Sequence, residues 1–217
     1  MNRVWLVGAV VLAAASISPA TVQVVLEADA DSYVRCLYNC EDGYEFWWDR
    51  DTNYGGQSRL LVVKTQGRYS LTEIAYMHFD FSGLGGYDGA DLVRAQLILL
   101  AEQAAQGEQR AYVVREPWDE MTITYNNRPP RGAQVASFYL YKGYTYVDLD
   151  IGPIAPWVDS PETAHGVELE DAELVTDWDD EGMIYSRETG TPPNLRLTFT
   201  GEAVEGASWG EIKASFE

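Results

Sequence analysis

Apolar and polar residues alternate in short runs along most of the chain, and a period of two marks strands with one face buried. The pattern is clearest at 73–81 (E-I-A-Y-M-H-F-D-F), where Ile74, Tyr76, His78 and Asp80 oppose Ala75, Met77, Phe79 and Phe81. Runs at 22–28, 31–35, 59–64, 110–116, 165–170, 183–187 and 195–200 predict further strands. Residues 137–141 and 144–151 predict a hairpin around Lys142-Gly143. Residues 92–101 (L-V-R-A-Q-L-I-L-L-A) fit helix or strand by pattern, and their place between strands favours a long central strand. Residues 154–158 predict a short helical turn with Trp157 facing the core. At 116–130 (E-P-W-D-E-M-T-I-T-Y-N-N-R-P-P) the run Thr122-Ile123-Thr124-Tyr125 predicts a strand that Asn126-Asn127 and the proline pair terminate. Trp118, Ile123 and Tyr125 then form a packing corner. Residues 36–56 predict a long polar and aromatic loop. About ten short strands separated by turn signals predict an all-β fold, a sandwich of two antiparallel sheets.

Composition agrees with that class. The chain has 217 residues, with 14 Tyr, 7 Trp, 19 Gly and 9 Pro, an aromatic and turn-rich profile suited to strands. Its net charge of −19 repels nucleic acid and anionic membranes, so neither is an expected partner. Residues 1–20 resemble a secretory signal: Arg3 supplies the positive start, 4–15 the apolar run, and Ser18-Pro19-Ala20 the small residues before cleavage. The run is short for a membrane span, and an uncleaved anchor is the alternative. The expected location is extracellular, periplasmic or at the cell surface, with no membrane contact after cleavage. The expected organisation is a leader at 1–20, one domain at 21–200, and a linker with a short tail at 201–217, where Ser208 and Glu211 fit a capping box and Trp209 and Ile212 either dock or fray. The two cysteines, Cys36 and Cys40, predict a local disulfide in an exported chain.

Five motifs in order resemble the DNRLRE-type domains, which include carbohydrate-binding module family 96. They are A-D-S-Y-V-R at 30–35 with D-T-N-Y-G-G at 51–56, H-F-D-F-S-G-L at 78–84, A-Q-L-I-L at 95–99, W-D-E-M-T-I-T-Y-N-N-R-P at 118–129, and I-Y-S-R-E at 184–188 with P-P-N-L-R-L at 192–197. Tyr125 stands where the family commonly has Trp, and the aromatic insertion at 37–48 and the C-terminal tail depart from the pattern. The resemblance implies a jelly-roll β-sandwich, usually a non-catalytic part of secreted or surface proteins, some of which bind polysaccharide, alginate among them.

No nucleophile elbow, zinc-protease, P-loop or dinucleotide fingerprint occurs, and the two histidines, His78 and His165, make no triad. For sugar binding, aromatics that stack on pyranose faces point to Tyr44, Phe46, Trp47, Trp48 and Trp178. Arg59, Lys64 and Arg68 offer a basic strip for a uronate chain, if it is segregated from the acidic remainder. Asp49, Asp51 and Asn53 put oxygen ligands at alternate positions, a partial match to a calcium loop whose alternative is a plain Asx turn. A second, vaguer acidic candidate runs from Glu168 to Glu181. No cofactor is expected beyond a structural Ca²⁺. The expected function is polysaccharide or cell-surface glycan binding without catalysis. The alternatives are a self-assembling structural or adhesive subunit and, last, a glycan-cleaving enzyme using carboxylates.

Overall fold

The computed structural model describes residues 20–41, 44–65, 69–172 and 181–201. The expected leader and C-terminal tail lie outside them, as do Arg68 and Trp178. Residues Thr21–Thr200 form one compact unit.

The described residues are all-β and antiparallel. The strands are β1 (Ala20–Glu41), β2 (Tyr44–Trp48), β3 (Arg59–Lys64), β4 (Tyr69–Phe79), β5 (Leu92–Gln103), β6 (Glu108–Val114), β7 (Arg131–Tyr139), β8 (Gly143–Leu149), β9 (Val167–Asp171), β10 (Gly182–Tyr185) and β11 (Asn194–Gly201). One short helix, α1 (Ala155–Asp159), follows β8 and buries Trp157 as expected. Pairing runs β2-β1-β11-β5-β10-β3-β4-β9-β6-β7, and β1 also pairs with β4. Six strands therefore close on themselves: β1, β11, β5, β10, β3, β4 and back to β1. Closure removes edges inside the ring. Strand β3 makes the corner, pairing with β10 through Arg59–Val62 and with β4 through Val63 and Lys64.

The main core fills the interior between the two halves of this ring. Strand β4 contributes Ala75, Met77 and Phe79 to it, β5 contributes Ala95, Leu97, Leu99 and Ala101, and β11 contributes Leu195, Leu197 and Phe199. The other face of β4 is also apolar. Ile74 and Tyr76 pack there with Val34, Val114 and Ile123 in a second, smaller core, which Trp118 and Tyr125 flank. Both faces of β4 are thus covered, one by the interior and one by the 116–130 segment.

Three expectations change. The predicted strand 122–125 does not form, and the segment between β6 and β7 is a series of turns. Asn127 explains why: its Oδ1 accepts from the Thr124 amide (2.6 Å) and its Nδ2 donates to the Thr122 carbonyl (2.9 Å), so a side chain takes the hydrogen bonds a neighbouring strand would have taken. The predicted β7–β8 hairpin is not one either. β7 pairs with β6 and β8 with β5, so the chain passes from one strand neighbour to the other at Lys142-Gly143, where Gly143 takes φ 93°. Lastly, the loop predicted at 36–56 is largely strand: β1 continues through it and turns back as β2, with Leu37 opposite Trp48 and Tyr38 opposite Trp47.

That extension also corrects the predicted disulfide. Cys36 and Cys40 lie in one extended strand, which spaces their Cα atoms by about 13 Å at ~3.3 Å per residue. A disulfide needs less than about 7 Å. Cys36 is a free, buried thiol, and burial pushes its pKa up, away from the reactive thiolate.

Candidate functional site

The site is built on the outer face of β4, where the 116–130 segment lies. Asn53 clips this segment in place. Its Nδ2 donates to the carbonyls of Glu120 and Ile123, each at 2.8 Å, and its Oδ1 accepts from the Gly55 amide at 3.2 Å. Gly55 is required there, because a Cβ would stand 2.1 Å from the Glu120 carbonyl oxygen. Two more bonds tie the segment down: the Asn126 amide donates to the Arg50 carbonyl (3.0 Å) and the Trp118 Nε1 donates to the His165 carbonyl (2.8 Å).

Tyr125 is thereby brought beside two guanidinium groups. Arg128 lies over its ring at 3.8 Å from the ring centre, and Arg50 approaches at 5.9 Å. Arg50 also lies 4.9 Å from the centre of Trp47, which packs on Tyr38 at 4.4 Å between centroids. The result is a strip, Trp47, Arg50, Tyr125, Arg128, in which rings and guanidinium groups alternate, with Tyr38 packed on Trp47 at its end. Cation–π contact holds each guanidinium at a fixed place without neutralising its charge. The Arg50 Nε is buried with no hydrogen-bond partner.

The strip leads into a cleft of about 490 Å³ lined by Tyr125, Asn126, Arg128, Lys64, Arg131 and the acids Glu168 and Glu170. Both acids are committed to cations. Glu168 Oε1 accepts from Arg131 Nε (2.7 Å) and its Oε2 accepts from the Tyr76 hydroxyl (3.0 Å). Glu170 pairs with Arg131 Nη1 (2.6 Å) and with Lys64 Nζ (3.2 Å). Burial pushes the Glu168 carboxyl upward, and Arg131 opposes that shift. The phenol of Tyr76, buried and facing Glu168, is pushed far above its ordinary value and stays neutral as a donor. Arg50, Lys64, Arg128 and Arg131 are four of the 15 basic residues of a chain with 34 acids. Lys64, Arg128 and Arg131 line the cleft against Glu168 and Glu170, and Arg50 adjoins it through Tyr125.

The sequence-predicted residues divide accordingly. Trp47 and Trp48 are both exposed, at 48% and 42%. As neighbours in a strand they point to opposite faces, and Trp47 alone joins the strip. Lys64 lines the cleft. Arg59 does not: it pairs with Glu102 and lies 4.6 Å from the ring centre of Tyr185 on β10. The backbones of Tyr44 and Phe46 lie in β2, and their side chains are outside the described part, as are Arg68 and Trp178. The three residues of the expected calcium loop each have a partner within the protein. Asp49 sits 3.6 Å from Arg35 Nε, Asp51 Oδ1 accepts from Asn126 Nδ2 (2.6 Å), and Asn53 is spent on the clip. The Gly55 amide, donating to Asn53 Oδ1, makes an Asx turn in that loop. His78 pairs with Asp29 (2.6 Å) at the edge of β4.

The sequence reading places Tyr125 in the packing corner, where it does flank the second core, and does not single out Arg50 and Arg128, which the structure brings to its ring. It also passed over Tyr144 and Tyr146 on β8, both exposed and stacked at 6.3 Å between centroids. Their signal was present: in 143–149 the buried residues are Thr145, Val147 and Leu149, so the alternate tyrosines face solvent.

A comparison with curated proteins gives no significant match. A family model does match, over residues 22–199, and its description is carbohydrate-binding module family 96. The match spans the closed ring, the 116–130 segment and the strip together, and the chain belongs to carbohydrate-binding module family 96.

Proposed function

We propose that this protein is a non-catalytic polysaccharide-binding module that grips an acidic, uronate-bearing glycan along the strip from Trp47 to Arg128 and into the adjoining cleft. The observation that carries this reading is the alternation of ring and guanidinium in a strip that concentrates cations on an otherwise acidic surface. The exposed Trp47 offers apolar ring surface to the sugar, and guanidinium groups offer paired donors to carboxylates. Binding is favoured over cleavage because both oxygens of Glu168 already have partners and Glu170 is ion-paired. A free acid and base pair is what glycoside hydrolysis needs. The family's description, a binding module, supports the same choice. We read the closed ring as a flattened jelly-roll sandwich, and the leader-like residues 1–20 as an export signal that delivers the chain to the extracellular space, periplasm or cell surface.

A glycan array tests this reading. Uronate polymers are retained by the wild type, released by salt, and lost in Trp47→Ala and Arg128→Ala but not in Trp48→Ala. Retention that ignores all three substitutions contradicts it. A reducing-end assay on the bound polymers stays flat, and released ends would favour a glycan-cleaving enzyme instead. A second reading has its own observation: the stacked, exposed pair Tyr144 and Tyr146 makes a flat platform suited to a neutral glycan. Retention of neutral polymers lost only in Tyr144→Ala and Tyr146→Ala would select it. The self-assembling subunit would bind through the edge strands β2 and β7 that end the strand path, and gel filtration at high protein concentration tests it.

A further inference from the structure

Away from the strip, three carboxylates from distant parts of the chain converge: Asp31 of β1, Glu120 of the 116–130 segment, and Glu188 in the turn Arg187–Thr189. Each offers an oxygen within 4.8 Å of the others. Their placement is fixed by backbone bonds. The Asp31 amide donates to Glu120 Oε1 (3.0 Å), and the Arg187 amide donates to Asp31 Oδ2 (2.9 Å). Glu120 is held from behind by Asn53 and by the close approach of Gly55. Gly190, at φ 73°, closes the turn that carries Glu188.

A second observation marks this cluster as more than a solvated acidic rim. Asp31 is 1% exposed, and its Oδ1 is buried with no hydrogen-bond partner. An unpaired buried carboxylate oxygen costs several kcal/mol unless a counter-charge reaches it. Arg187 is the cation at hand, with Nη1 3.3 Å from Glu120 Oε2 and Nε 3.6 Å from Glu188 Oε1. Its side chain pairs with the other two acids, and the hydrogen bond it gives Asp31 comes from its backbone amide. With all three ionised, three carboxylates against one guanidinium leave an excess of two negative charges. Burial, with the nearby charges of Glu188 and Glu120, pushes the Asp31 carboxyl up to about 7. The burial is graded from Asp31, fully buried, through Glu120 to Glu188, exposed. One side thus stays open for an ion and its remaining waters.

We propose that Asp31, Glu120 and Glu188 form a calcium site that staples β1, the 116–130 segment and the turn after β10. The donors are all carboxylate oxygens, which suits a hard cation and excludes the softer metals that seek thiolate or imidazole. Their irregular arrangement on three separate segments suits the flexible shell of Ca²⁺ better than the strict octahedron of Mg²⁺. The ion neutralises the two excess charges and supplies the partner that Asp31 Oδ1 lacks. Its binding energy stabilises the folded chain, because the three carboxylates come together only when the chain is folded.

The test uses the full chain stripped with EDTA. Titration with CaCl₂, followed by thermal unfolding and by isothermal calorimetry, gives a saturable rise in Tm and a single binding event. Glu188→Gln, exposed and free of packing, leaves the fold intact and weakens Ca²⁺ by about tenfold or more. Asp31→Asn abolishes the response if it folds. Asp51→Asn, in the loop that braces the segment, keeps the wild-type affinity. The proposal is overturned by a Tm indifferent to EDTA and CaCl₂, by a rise that MgCl₂ or matched NaCl reproduces, or by an unchanged Ca²⁺ affinity in Glu188→Gln.

Discussion

Glu73 on β4 is the least comfortable charge among the described residues, and replacing it with Gln is a sharp test of the packing described above. The side chain is 1% exposed. Neither carboxylate oxygen accepts a hydrogen bond, and Arg35 Nε, at 3.4 Å from Oε1, is its ion-pair partner. Burial first, and then the carboxyl of Glu181 beside it, push Glu73 from an ordinary 4.5 to about 9. The sign follows from linkage. Between those two values the unfolded chain has lost the proton and the folded chain has kept it, so stability falls as pH rises. The slope limit for one proton is about 1.4 kcal/mol per pH unit, so the loss between pH 5 and pH 8 is up to about 4 kcal/mol. Glu73→Gln keeps the shape and removes the titration. Urea unfolding followed by tryptophan fluorescence at pH 5, 6, 7 and 8 measures both proteins. The wild type loses ground to the variant steadily with pH, and the variant is the more stable at pH 8. Two parallel profiles, or a variant that is weaker at every pH, would refute this account of a buried, protonated carboxyl.

Further outcomes follow from the 116–130 segment and the cysteine. Ile123→Ala empties part of the second core and costs about 2–5 kcal/mol in urea unfolding, while Val93→Ala, at an exposed position, changes stability by less than about 0.5 kcal/mol. Asn53→Ala leaves the Glu120 and Ile123 carbonyls without their donor and costs about 1–3 kcal/mol; an effect near zero would mean the clip is incidental. Dithiothreitol leaves the Tm unchanged, and Cys36 reacts with a thiol reagent only on unfolding; a drop in Tm on reduction would restore the disulfide.

The strands were legible wherever their alternation was clean. Strand β3 matches the run 59–64 residue for residue, and β4, β5, β9 and β11 fall within a few residues of their predicted ranges. The burial phase of β4 was readable too, because Ala75, Met77 and Phe79 face one core and Ile74 and Tyr76 the other. Pairing was not readable. Nothing local distinguishes a hairpin at Lys142-Gly143 from a passage between two strand neighbours, since the partners of β7 and β8 are β6 and β5, tens of residues away. The extension of β1 was hidden because Arg35-Cys36-Leu37-Tyr38-Asn39 mixes polar and apolar residues on both faces of a ribbon. The site was half legible. Trp47 and Lys64 stood out by residue type. Arg50 meets Tyr125 and Arg128 because Asn53 and the Arg50 carbonyl hold a segment some seventy residues distant. The acids Asp31, Glu120 and Glu188, spread over nearly the whole chain, carry no local spacing at all.

Isothermal titration of the full chain with a defined oligouronate, at two salt concentrations, tests the central claim most directly. The account predicts saturable binding that weakens with salt, drops about tenfold or more in Arg128→Ala, and survives in the double variant Tyr144→Ala, Tyr146→Ala. Binding that is insensitive to salt and to Arg128→Ala, or absent for the oligouronate while present for a neutral oligosaccharide, would contradict it.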